Sequence, residues 1–111
     1  MSHETKVAFL LIDMQYGFLH PDSIHCIRNA AATVPSCAEA IRIARKKEIP
    51  VFFIKRHYRA DGSDVENTRY SQWVQGGRGL SPDSWSAQEP DALRPQPGDY
   101  TIIKPRWSAF F

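Results

Sequence analysis

The sequence predicts an α/β domain built on a parallel sheet, and three stretches carry the prediction. An unbroken apolar run, Val7-Ala8-Phe9-Leu10-Leu11-Ile12, ends on Asp13. A second run, Val51-Phe52-Phe53-Ile54, follows a segment whose apolar residues fall three and four positions apart. A third, Tyr100-Thr101-Ile102-Ile103, is rich in β-branched residues and ends on Lys104. Strands that are apolar at successive positions are covered on both faces, as in parallel sheets packed by helices. Strand, helix and strand in that order make a βαβ unit.

Taken in order, the first strand runs over residues 7–12 and delivers Asp13 to its carboxyl end. Leu19-His20-Pro21-Asp22-Ser23 is turn-like, and no period is visible through Thr33, so a loop over the strand ends is expected. From Pro35 to Lys47 a helix is predicted. Proline suits a first turn, and Ala38, Ile41, Ala44 and Arg45 share a face that Ala40 and Ile43 widen. Its basic end, Arg45-Lys46-Lys47, complements the helix dipole. The second strand covers residues 51–54, and Lys55 to Gly62 is a polar turn beyond it, where function concentrates.

Ser63 and Glu66 have capping-box spacing, which predicts a helix from Asp64 to Val74. Gly76-Gly77-Arg78-Gly79 breaks it and is expected to be a flexible linker. It lacks the preceding strand and the following Lys-Ser/Thr of a phosphate loop. Residues 80–99, rich in proline, serine and acids, should lie on the surface, with a turn at Ala87-Gln88-Glu89. Pro97-Gly98-Asp99 is a turn that opens the third strand.

The 111 residues predict one domain, short for a complete doubly wound sheet, and the expectation is a single incomplete domain over residues 1–111. A net charge of +2 argues against a nucleic-acid surface. No apolar stretch approaches membrane-spanning length, and the amino terminus has no signal-like region. Cytoplasmic residence and a small-molecule partner are the defaults. Cys26 and Cys37 form no CxxC pair and are expected to be reduced structural thiols.

Asp13 and Lys104 follow one logic, a charge at the carboxyl end of an apolar strand, where parallel sheets hold ligands. Asp13 has two readings, a turn-capping residue or a carboxylate used in chemistry. Lys104 is either a solvated strand-end lysine or the partner that keeps that carboxylate ionised.

Leu11-Ile12-Asp13-Met14-Gln15, Ile49-Pro50-Val51 and Ile102-Ile103-Lys104-Pro105-Arg106-Trp107-Ser108-Ala109-Phe110 occur in that order over nearly the whole chain. Together they resemble the isochorismatase-like cysteine hydrolase family. The resemblance implies a Rossmann-like three-layer α/β fold, with helices on both faces of a parallel sheet. It implies hydrolysis of a C–N bond in a small amide or ureido compound, or of a vinyl ether in isochorismate.

In the family's Asp/Lys/Cys scheme, Asp13 takes the thiol proton, Lys104 favours the thiolate, and the thiolate attacks the carbonyl. Gln15, Phe18, His57 and Trp107 correspond to substrate-binding positions. The family's nucleophilic cysteine lies well beyond the lysine motif and has no counterpart in these residues. Cys26 and Cys37 both precede the second strand.

Lys55-Arg56-His57 stands where the nicotinamidase branch has Asp-x-His, so no metal and no cofactor are expected. Arg56 and Arg59 have two readings, solvated surface arginines or partners of an anionic substrate by bidentate pairing. The competing expectation is a non-catalytic, truncated family member or interaction fragment. An open edge on the first strand and a thin core predict self-association, as a homo-oligomer or otherwise.

Overall fold

The computed structural model describes residues 6–110. Phe111, at which the sequence ends, lies outside the described residues, as do Met1 to Thr5. Three parallel strands form one sheet: β1 (Phe9–Ile12), β2 (Val51–Arg56) and β3 (Tyr100–Lys104), in the order β1-β2-β3. Phe9 sits opposite Val51, and Ile12 opposite Ile54. Phe52 sits opposite Tyr100, and Arg56 opposite Lys104. The α/β class and all three strands are as the apolar runs predict.

Four-residue helix α1 (Tyr16–Leu19) begins four positions after β1 ends, and its last residue opens the stretch expected to be loop. A 3-10 turn, Ala31–Thr33, leads into α2 (Val34–Lys46), one residue off the predicted bounds, with proline in its first turn and Arg45 and Lys46 in its last. Ile41 and Ala44 of α2 pack with Leu11, Val51, Phe53 and Leu93 into the first apolar core. Burying each such side chain contributes roughly 1.5–3 kcal/mol.

The predicted two-sided cover of every strand is not realised. Leu11 is buried under α2 while Leu10 and Ile12 are exposed, and in β3 only Lys104 is buried. Among the described residues β1 pairs with β2 alone, and only the central strand has neighbours on both sides. The apolar runs therefore encode more cover than these elements supply.

Three further expectations are corrected. β2 runs on through Lys55 and Arg56, because Gln15 and β3 hold the Arg56 backbone in extended register. The predicted helix over residues 64–74 shrinks to α3 (Tyr70–Gln75). Glu66 leaves the capping position to bond Arg56 and Tyr58, and Ser63 N–H donates to Asp61 Oδ1 instead. Tertiary partners outcompete the local cap.

The glycine cluster is a packed helix stop and not a linker. Gly76 ends α3 with a Cβ position already filled by Ile24, Gly77 takes φ +91, and Trp73 Nε1 donates to Gly79 O. The segment predicted as surface buries Leu80, Ala87, Glu89 and Leu93 and forms 3-10 turns at Trp85–Ala87 and Asp91–Leu93. Leu80 joins Tyr58, Val65 and Trp73 in a second apolar cluster, against which Phe18 and Val74 pack.

Candidate active site

Asp13 is the first residue beyond β1, and its N–H donates to Ile54 O, which ties it to β2. Its φ of +58 lies in the left-handed region, which aspartate tolerates better than most residues. This bend turns the carboxylate away from the strand line. Lys104 is 4% exposed at the end of β3, two strands away. Its Nζ donates to Asp13 Oδ2 at 3.1 Å and to Trp107 O at 2.9 Å. The ammonium thus spans β2 to reach the carboxylate. Asp13 Oδ1 is buried and has no hydrogen-bond partner among the described residues. A carboxylate with one oxygen held by a cation and the other unengaged is arranged to accept a proton.

Gln15 is fully buried, at 0% exposed. Its Oε1 accepts from Arg56 N–H, and its Nε2 donates to Arg56 O and Ala87 O, each bond at 2.8–2.9 Å. Both amide hydrogens are therefore engaged by backbone. The side chain ties the β1 loop to β2 and to the 3-10 turn at residues 85–87. A buried backbone group stripped of such a bond costs about 1–3 kcal/mol.

His57 N–H donates to Lys104 O, and its Nε2 is buried without a partner among the described residues. Burial lowers its pKa from 6.5; the adjacent Lys55 ammonium adds to that and Glu89 opposes it. Its imidazole is thus held neutral. Lys55 Nζ pairs with Glu89 Oε1 at 3.1 Å, while Glu89 Oε2 is buried without a partner among the described residues. Phe18 packs into the second apolar cluster, and the Trp107 side chain is exposed although its carbonyl holds Lys104.

The network around Arg56 escapes sequence reading. Arg56 Nη2 donates to Tyr58 OH and to Glu66 Oε2, Tyr58 OH donates to Glu66 Oε1, and Arg56 Nε donates to Pro105 O. Burial opposes ionisation of Glu66, but the Tyr58 and Arg56 bonds outweigh it and hold the carboxyl below its usual value. Burial, with the Glu66 bond, raises the Tyr58 pKa. The only sequence signal, the Ser63–Glu66 spacing, points to a different partner.

Cys26 and Cys37 are free thiols. Cys26 Sγ donates weakly to Leu19 O, and Cys37 packs against the first apolar core. Among the described residues neither thiol hydrogen-bonds Asp13 or Lys104. Among the described residues no cluster of three or more His, Cys, Asp or Glu side chains is arranged to hold a metal. No helix among them is long and apolar enough to cross a membrane.

A parallel sheet carrying a carboxylate–ammonium pair across its carboxyl edge defines an α/β protein with a strand-end site. The chain belongs to the isochorismatase family, for the sequence model of the Isochorismatase domain matches residues 7–111. A probable inactive nicotinamidase of Arabidopsis thaliana is 30% identical, over 96% of this chain and 55% of its own. Ureidoacrylate amidohydrolase RutB of Azorhizobium caulinodans is 25% identical, over 96% and 55%. The crystal structure of an isochorismatase family protein from Desulfovibrio vulgaris superposes with a TM-score of 0.90 at 34% identity, over 96% of this chain and 56% of that one. The chain spans about half the length of the curated relatives it matches.

Proposed function

We propose that this chain carries the acid–base part of a cysteine hydrolase that cleaves a C–N bond in a small amide or ureido compound. The observation that carries this is the 3.1 Å contact of Lys104 Nζ with Asp13 Oδ2, which leaves Asp13 Oδ1 buried and open. In this role Asp13 accepts the proton of a thiol nucleophile. Lys104 holds the Asp13 carboxylate in position and stabilises the thiolate beside it. Neither Cys26 nor Cys37 is placed to be that nucleophile. The amidohydrolase among the relatives supports the substrate class.

The test is ammonia release from a panel of simple amides and N-carbamoyl amino acids. Asp13→Asn and Lys104→Met should each lower it by roughly 10²–10⁴-fold, the usual range for a positioned proton-transfer group. Release that persists in both variants sinks the assignment. No release from the unaltered protein across the panel favours a non-catalytic chain.

Self-association is part of the same reading. Leu10, Ile12 and Tyr100 are exposed on strands that have one neighbour each among the described residues, and open apolar edges attract another chain. Sedimentation equilibrium should show mass above 12.7 kDa that falls on Ile12→Lys. A strict monomer before substitution refutes it.

A further inference from the structure

A cavity of about 300 Å³ opens beside the Lys104 end of the sheet, walled by Phe18, His25, Arg56, Tyr58, Arg69 and Trp73. Arg56 is the register partner of Lys104, so the cavity begins one strand away from the Asp13–Lys104 pair. Its size is at the lower end of small-ligand pockets. The apolar part is a floor, because the Tyr58 and Trp73 rings pack edge to face with centroids 6.0 Å apart and are only 3% and 2% exposed, with half-buried Phe18 as the accessible apolar wall beside them. A flat body would lie over that floor against Phe18.

The charges facing this space do not balance. Arg56 and Arg69 bring two guanidinium groups, and Glu66 brings one carboxylate, at 2.7 Å from Arg56 and 3.8 Å from Arg69. The Arg69 guanidinium, on a side chain 47% exposed, makes no closer polar contact among the described residues. His25 is held neutral, because burial lowers its pKa and then Arg69 and Arg56 lower it further. Its imidazole makes no hydrogen bond among the described residues. One positive charge with free donors is left over a half-enclosed aromatic pocket.

We propose that this cavity binds the carboxylate of a small, flat monoacid, with Arg69 as the principal contact and Phe18, over the Tyr58–Trp73 floor, holding the body. Guanidinium and carboxylate match as paired donors and acceptors. A single leftover charge fits a monoanion better than a phosphate, whose charge at neutral pH is nearer two. The cavity is then the acid-recognising end of the substrate site, so that the substrates are amides or ureido compounds bearing a carboxylate. That last step rests on the hydrolase reading, whereas the binding itself does not.

Benzoate, benzamide and inorganic phosphate are the probes, titrated into the whole chain while the His25 and Trp73 side-chain resonances are followed by NMR. Benzoate should shift both resonances and bind about tenfold tighter than benzamide, the loss expected when a charged hydrogen bond is removed. Phosphate should bind more weakly than benzoate. Arg69→Gln should bring benzoate to the benzamide level without moving the melting midpoint, and Arg69→Lys should restore part of the difference.

Asp13→Asn should keep benzoate binding while abolishing any ammonia release, so failure of hydrolysis and failure of recognition are read separately. Equal binding of benzoate and benzamide overturns the proposal, as does benzoate binding that Arg69→Gln leaves unchanged. Benzoate binding that shifts neither His25 nor Trp73 overturns it as well.

Discussion

The two apolar clusters bury comparable side chains by different means. The first joins Leu11, Val51 and Phe53 of two strands to Ile41 and Ala44 of α2, with Leu93 closing one end. Almost all of it comes from regular elements whose backbone bonds are satisfied internally. The second gathers Tyr58, Val65, Trp73 and Leu80, and only Trp73 lies in a helix. Loops cannot satisfy their own backbone groups. Here Tyr58 N–H donates to Leu80 O, Leu80 N–H to Ser86 Oγ, and the Arg56–Glu66–Tyr58 triad pins the centre. One region is held by packing on a scaffold. The other depends on buried polar bonds, and the recognition chemistry proposed above sits there.

The sharpest way to break this comparison is Glu66→Leu. It strands the Arg56 guanidinium, which is 4% exposed, and should cost about 3–5 kcal/mol. Leu93→Ala in the first cluster should cost about 3 kcal/mol through the cavity it leaves. The two should also differ in kind. In urea, Glu66→Leu should lose near-UV aromatic circular dichroism before far-UV signal, and Leu93→Ala should lose both together. Coincident loss in both variants would show the clusters to be one cooperative unit.

A smaller effect sharpens the same contrast through pH. His25 and His57 both have folded pKa values below 6.5, so the unfolded chain takes up protons that the folded one refuses. Their contribution is complete above pH 6.5 and is lost as pH falls through their lowered folded values. Glu66, also lowered, adds a loss as pH falls below 4.5. Unfolding midpoints should fall from pH 7.5 to 5.5, and His25→Gln should flatten part of the slope. A midpoint that rises on acidification would contradict both histidine environments.

How far the sequence carried each part follows from the same physics. α2 was legible because helix burial imposes a period, and Ile41 and Ala44 fall where that period puts them, while β1, β2 and β3 were legible as short apolar or β-branched runs. Asp13 and Lys104 were legible as a pair because each ends an apolar run. Residues 57–99 were largely misread. Their polar and glycine-rich composition resembles that of a surface loop, yet Leu80, Ala87 and Leu93 are among the most buried of the described residues. Glu66 was misassigned for a related reason, since a capping spacing is local and its bond to Arg56 spans ten residues.

The sequence by itself determined the α/β class, the family and the two charges at the strand ends, because these rest on local periodicity and on contiguous motifs. Only the tertiary structure decided that Lys104 reaches across β2 to Asp13. It alone showed that Gln15 locks three chain segments through one amide, and that Arg56, Arg69 and His25 converge on one cavity. Those contacts join residues from 13 to 91 positions apart. No local spacing encodes a distance that only the folded sheet sets.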